Sequence, residues 1–146
     1  MIAAASQMTD IRDAFFGQFL DRAEEAEDFV ILSADMDAFV LREIAKRFPE
    51  KHINIGVSEQ NMINVAAGLA LTGKKVICYS IASFATLRCF EQIKVNICSM
   101  NLPVTIVGAG PGFSFGHDGP THHGQMDLSA MRLLPEMSVF EISSND

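Results

Sequence analysis

The chain has no tryptophan, no pair of cysteines in C-x-x-C spacing, no run of five basic residues and no apolar stretch long enough to span a bilayer. Each absence excludes something. The three cysteines, Cys78, Cys89 and Cys98, cannot all pair internally because their number is odd, and without close spacing they form neither a zinc ribbon nor a redox dithiol motif. They read as buried or helical thiols in a reducing compartment, which points to the cytoplasm. A formal charge of −7 without a basic run argues against a nucleic-acid surface. Asn, Gly, Thr or Lys interrupts every apolar stretch within a few residues, so no membrane span is expected. Residues 1–9 are Ala-rich but lack a basic n-region and a sustained apolar core. They make a poor signal peptide and are expected to be a disordered leader.

What is present is one domain, residues 10–146, built by alternation. Thr9 or Asp10 can cap a helix from Ile11, with Ala14, Phe15, Phe19 and Leu20 as its apolar stripe and the acidic stretch Glu24 to Asp28 closing it. Phe29-Val30-Ile31-Leu32 reads as a strand covered on both faces, and Ala38 to Phe48 as a helix stopped by Pro49. Further strands are expected at Ile53–Gly56, Lys75–Ile81, Val104–Val107 and Ser138–Ile142, and further helices at Gln60–Leu71, Phe84–Met100 and Leu128–Leu134. The fold class is therefore α/β: a three-layer, doubly wound, mostly parallel sheet. A buried-type strand four residues from the last residue, with no helix to cover it, leads us to expect a C-terminally incomplete unit or one that a partner completes.

Ligands of such sheets lie beyond the carboxyl ends of the strands. Asp35, Glu59, Phe84 and the loop from Gly108 to Gly119, with its five glycines, all fall there. Glu59 is either a first-turn residue answering the helix dipole or an acid placed to exchange a proton with a bound ring. Val57, Met62 and Phe84 are the apolar neighbours expected to screen it. Asp118-Gly119-Pro120-Thr121-His122-His123 is either an exposed turn or an acid–base and hydroxyl-binding loop. Adjacent imidazoles point apart on an extended backbone, which argues against a metal there. Phe84, Leu87 and Phe90, three apart, are either core packing or a wall against a flat heteroaromatic ligand.

Taken in order, Ser33-Ala34-Asp35, Gly56-Val57-Ser58-Glu59-Gln60-Asn61-Met62, Phe84-x-x-x-Arg88-x-Phe90-Glu91-Gln92 and Asp118-Gly119-Pro120-Thr121-His122-His123 resemble the central pyrimidine-binding domain of the transketolase family, from about Arg12 to Asp146. The resemblance implies thiamine diphosphate as cofactor. Glu59 matches the glutamate that hydrogen-bonds the aminopyrimidine ring, Phe84, Leu87 and Phe90 match the wall around that ring, and Asp35 matches an aspartate near the thiazolium. Asp118 and His122 match side chains that contact donor-sugar hydroxyls and the reacting centre, and Arg12 matches a phosphate-binding arginine. Catalytic roles thus fall to Glu59, His122 and Asp118.

Two positions depart from the pattern. Phe39 stands where the family has a phosphate-binding serine, and Gly110 where it has a phosphate-binding histidine, which weakens the case for an ordinary phosphorylated pentose donor. The Gly-Asp-Gly…Asn motif that holds diphosphate is also missing, since His117-Asp118-Gly119 with Asn145 lacks the first glycine. Diphosphate and its Mg2+ or Ca2+ are therefore expected on a partner chain or domain, with the cofactor shared and an oligomer as the working state. The function implied is two-carbon ketol transfer between sugars, active only with that partner. The alternatives are a synthase resembling deoxyxylulose-phosphate synthase, condensing pyruvate with an aldose phosphate and using Arg88 as a phosphate ligand, or a non-catalytic docking module.

Overall fold

The computed structural model describes residues 10–23 and 28–145. The expected leader and residues 24–27 of the acidic stretch lie outside the described residues. Four parallel strands form the sheet: β1 (Phe29–Ser33), β2 (His52–Asn54), β3 (Lys75–Ile81) and β4 (Val104–Ala109), in the order β2-β1-β3-β4. Every residue of β1 is buried, as a continuous apolar run flanked by two strands and covered on both faces requires. Its Ile31 lies opposite His52 on one side and Ile77 on the other.

Side chains alternate across this sheet and so feed two cores. Ile31, Ile77 and Tyr79 pack with Phe16 of α1 (Ile11–Arg22) and with Leu41 and Ile44 of α2 (Phe39–Arg47). Val30, Leu32, Val76 and Cys78 pack on the opposite face with Met62, Ile63 and Ala66 of α3 (Glu59–Leu71) and with Ile93 and Ile97. Each fully buried Ile or Leu contributes about 1.5–3 kcal/mol. Helices on both faces of a parallel sheet make the expected α/β layers. Asp10 caps α1 as expected, its carboxylate accepting the Arg12 amide at 2.8 Å. Among the described residues no helix is long and apolar enough to cross a membrane.

Two expected elements differ. The helix expected over Phe84–Met100 starts earlier as α4 (Ala82–Ala85), breaks, resumes as α5 (Phe90–Gln92) and continues as a π-helix over Ile93–Cys98. Local bonds compete with the regular ladder at the break: Thr86 Oγ1 donates to the Ala82 carbonyl at 2.6 Å and Cys89 Sγ to the Phe84 carbonyl at 3.1 Å. Ser138–Ile142 is not a strand. Val139 packs against the α3-side core while Phe140 and Ile142 stay exposed, and the segment forms no ladder with β4. A short helix, α6 (Asp127–Met131), stands where Leu128–Leu134 was expected.

Candidate active site

The site grows from connections that leave the carboxyl ends of parallel strands and therefore meet at one rim. Glu59 opens α3, and its side chain is only 3% exposed. A buried carboxylate needs a counter-charge or several donors, and the structure supplies a guanidinium. Arg88 Nη1 donates to Glu59 Oε2 at 2.8 Å. Gln60 Nε2 donates to the Arg88 carbonyl at 3.1 Å, and the Arg88 amide to the Ser83 carbonyl at 3.2 Å, so the turn that carries the arginine is tied at both ends. Met62, next on that face of α3, is fully buried. Val57, expected to help screen the carboxyl, is 72% exposed and does not.

The Arg88 guanidinium also lies over the Phe84 ring, its Cζ 3.8 Å from the centroid. A planar group with in-plane N–H donors thus stacks on Phe84 while bonding to Glu59, the two contacts a flat nitrogen heterocycle would need here. The structure commits Arg88, expected as a phosphate ligand in a synthase, to this pair. Beyond Phe84 comes His122, whose ring meets it edge-on with centroids 4.8 Å apart. Glu59, Arg88, Phe84 and His122 therefore form one continuous line of contacts across the ends of β2, β3 and β4. Leu87 sits in the turn between α4 and α5, and Phe90 packs against the α3-side core, so Phe84, Leu87 and Phe90 do not share one helix face.

His122 is delivered by a loop with its own architecture. Gly112 and Gly124 exchange backbone hydrogen bonds of 3.0 and 2.8 Å, closing the segment on itself. At Gly110, φ is +76°, and a Cβ there would lie 2.0 Å from Cε2 of the Phe115 ring. Only glycine fits both constraints. Thr121 Oγ1 lies 3.0 Å from His122 Nδ1, while the Thr121 carbonyl accepts the Ser83 hydroxyl at 2.8 Å. His123 turns the other way, onto Phe113 at 4.8 Å. The two histidines point apart, as adjacent residues should. Among the described residues no three His, Cys, Asp or Glu side chains gather as a metal site would need.

The remaining expected residues lie outside this line. Asp118 ends an exposed 3-10 turn. Asp35 is exposed at the tip of β1 with φ +50°, its amide held by Asn54 Oδ1 at 3.1 Å. Arg12 is engaged by Asp10 at 2.8 Å, and that guanidinium holds the Asp10 carboxyl down at about 2. Phe39 is 77% exposed with the Arg42 guanidinium over its ring at 5.4 Å. Asp35, Arg42, His52 and Asn54 line a cleft of about 260 Å3 beside β1 and β2, where Ser33 Oγ and His52 Nε2 are 2.9 Å apart. Burial of His52 lowers its pKa.

Sequence reasoning missed Ser83 and did not join Arg88 to Glu59. The only signal for Ser83 was a polar residue at a strand tip, and nothing local links positions 29 residues apart. Behind Glu59, fully buried Cys89 has its thiol pushed up to about 12, first by burial and then by the Glu59 charge.

Comparison with known proteins bears on this geometry. Residues 3–146 match the family model described as transketolase, pyrimidine binding domain. The 6-deoxy-6-sulfo-D-fructose transketolase subunit SqwH of Clostridium sp. (strain MSTE9) is 36% identical over 132 residues, covering 90% of this chain and 41% of that protein. A putative transketolase C-terminal section from Methanocaldococcus jannaschii is 36% identical over 140 residues, covering 95% and 44%. The 1-deoxy-D-xylulose-5-phosphate synthase 2 of Geobacter sulfurreducens is 41% identical over 126 residues, covering 85% and 20%. A solved structure described as a split gene transketolase, inactive beta4 tetramer, superposes with a TM-score of 0.73 at 36% identity, covering 86% of this chain and 40% of that one. The chain spans less than half the length of each of these relatives.

Proposed function

The chain belongs to the transketolase pyrimidine-binding domain family, and from that premise we propose that it forms the pyrimidine-side half of a thiamine diphosphate site serving two-carbon ketol transfer between sugars. One observation carries the reading: an almost fully buried glutamate opens a helix at the carboxyl rim, beside an aromatic face and an imidazole. The aromatic face accepts a planar group, and the carboxylate accepts an in-plane N–H, as Arg88 demonstrates. A nitrogen heterocycle therefore fits the donor and acceptor chemistry present. Bound thiamine diphosphate would supply a nucleophilic carbon that the side chains of this protein lack.

The chain's own residues have defined tasks in this reading. Glu59 holds or releases a proton at Oε2 against a ring nitrogen, in a place shielded from bulk water. Phe84 would fix the ring plane with Leu87 and Phe90 beside it, and Asp35, at the tip of β1, would face the second ring. His122, with Nδ1 engaged by Thr121, presents Nε2 to substrate hydroxyls, and Asp118 on the same loop offers a second acceptor. Arg12 lies at the rim as a group for an anionic substrate end. Diphosphate and a divalent ion, Mg2+ or Ca2+, fall to a partner subunit or domain, and the working state is an oligomer. Three unpaired thiols suit the cytoplasm.

The donor itself is narrowed by two positions. Gly110 is covered by Phe115, and Phe39 presents an exposed ring, so neither offers the polar side chain that would grip a phosphate. A donor whose end is held by other means fits better. The 41% identity to a synthase favours one second reading, condensation of pyruvate with an aldose phosphate. Pyruvate decarboxylation assayed beside ketol transfer separates the two.

The test is Glu59→Ala in the chain assembled with a diphosphate-binding transketolase subunit. Nearly all turnover should vanish while the circular dichroism of the free chain is unchanged. Turnover at the wild-type rate would refute the role of Glu59.

A further inference from the structure

Ser83 has no part in the chemistry above, yet it touches both halves of the site. It is 5% exposed in α4, directly after β3, and a buried hydroxyl needs a partner. Its Oγ donates to the Thr121 carbonyl at 2.8 Å, 38 residues away. Its own carbonyl accepts the Arg88 amide at 3.2 Å, the start of the turn that carries the guanidinium to Glu59. The loop it reaches is closed on itself by the Gly112–Gly124 bonds and by the Phe115 ring over Gly110. The loop is therefore held together by its own contacts, and the bond at Thr121 ties it to α4. Thr121 in turn engages His122 Nδ1 through Oγ1 at 3.0 Å, and the ring settles edge-on against Phe84.

We propose that Ser83 is a positioning residue for His122. It fixes the Thr121 peptide, Thr121 fixes one ring nitrogen of His122, and the other nitrogen is thereby aimed at the space over Phe84. The proposal rests on the ketol-transfer reading only for what His122 does once it is aimed. Which nitrogen carries the proton is decided by the hydrogen bond the other makes. Losing one such bond, worth about 0.5–1.5 kcal/mol, corresponds to about a two- to tenfold change in the ratio of the two neutral tautomers.

The experiment is nitrogen NMR of the full chain with labelled histidine, comparing wild type, Ser83→Ala, Thr121→Val and the double variant. Thr121 is exposed, so its replacement leaves the fold intact. Thr121→Val should move the His122 tautomer ratio by about two- to tenfold. Ser83→Ala should move it in the same direction and weaken the Phe84 ring-current shift on His122. Added to Thr121→Val, Ser83→Ala should move the ratio no further, because both act through one link. An unchanged ratio in Ser83→Ala, or an equal extra move on the Thr121→Val background, overturns the proposal. If Ser83→Ala does not fold, Ser83→Cys, slightly larger but of the same shape, weakens the donor and carries the same comparison. The readout needs neither cofactor nor sugar. It therefore stands or falls apart from the ketol-transfer reading, which fails on Glu59→Ala turnover.

Discussion

Replacing Arg88 with methionine should destabilise the chain more than replacing Glu59 with glutamine, although the two residues share one ion pair. The asymmetry follows from burial: the Glu59 side chain is 3% exposed and that of Arg88 39%. Arg88→Met strands a carboxylate in a place that water barely reaches. Breaking a fully buried pair costs about 3–5 kcal/mol, and the partial exposure of Arg88 reduces this to about 2 kcal/mol. Glu59→Gln leaves a guanidinium that solvent already wets and keeps an acceptor beside it, so the cost is about 1 kcal/mol or less. The double variant removes both charges and should recover most of the Arg88→Met loss. It would not recover the stacking on Phe84, worth about 0.5–1 kcal/mol. Urea unfolding of the full chain at neutral pH reads these differences directly. With a slope of about 1–3 kcal/mol per molar, Arg88→Met should lower the midpoint by about 1 M and Glu59→Gln by no more than about half of that. Equal midpoints for the two single variants, or a larger loss for Glu59→Gln, would refute the argument that Arg88 is there to neutralise a buried charge.

Three further outcomes follow from the same structure. His52 has its pKa lowered from 6.5 by burial, so its native form is neutral and protonation favours the unfolded chain; the stability it brings is present above pH 6.5 and is lost as pH falls below that value. Thermal midpoints at pH 7.5 and 5.5 should therefore differ less for His52→Gln than for wild type. Gly110→Ala puts a methyl 2.0 Å from the Phe115 ring at φ +76° and should cost about 1–3 kcal/mol, part of which Phe115→Ala relieves, as chemical denaturation would measure. The Cys78 and Cys89 thiols, fully buried and pushed up to about 12, should resist a disulfide-exchange reagent at pH 8 until denaturant is added, when all three cysteines react.

Much of the architecture was written in local patterns. Phe29 to Leu32 as an unbroken apolar run, Pro49 after a helical stretch and Asp10 before one are signals that act over a few residues, and the structure follows them. The break after Ala85 was not legible, because Thr86 and Cys89 bond backward onto carbonyls whose availability depends on the path the chain takes there. Ser138–Ile142 failed for a related reason. A strand-like pattern specifies a surface that suits pairing, and pairing itself is a tertiary event.

The same distinction governs the site. Asp35, Glu59, Phe84 and the Gly108–Gly119 loop that leads to His122 could be placed at the rim from strand order alone, since parallel strands send their following connections to one edge. What they touch there could not, because each contact joins segments that are far apart along the chain. Arg88 shows why this matters for binding. It holds the Glu59 carboxylate and one face of Phe84 at the same time. A planar ring that takes that oxygen and that face must first displace the guanidinium into solvent, where its 39% exposure already leads. Under the proposed reading, the affinity for such a ring would be a difference between two sets of contacts. A partner surface over the rim would shift that difference twice, by adding contacts to the ring and by changing the water available to the departing arginine.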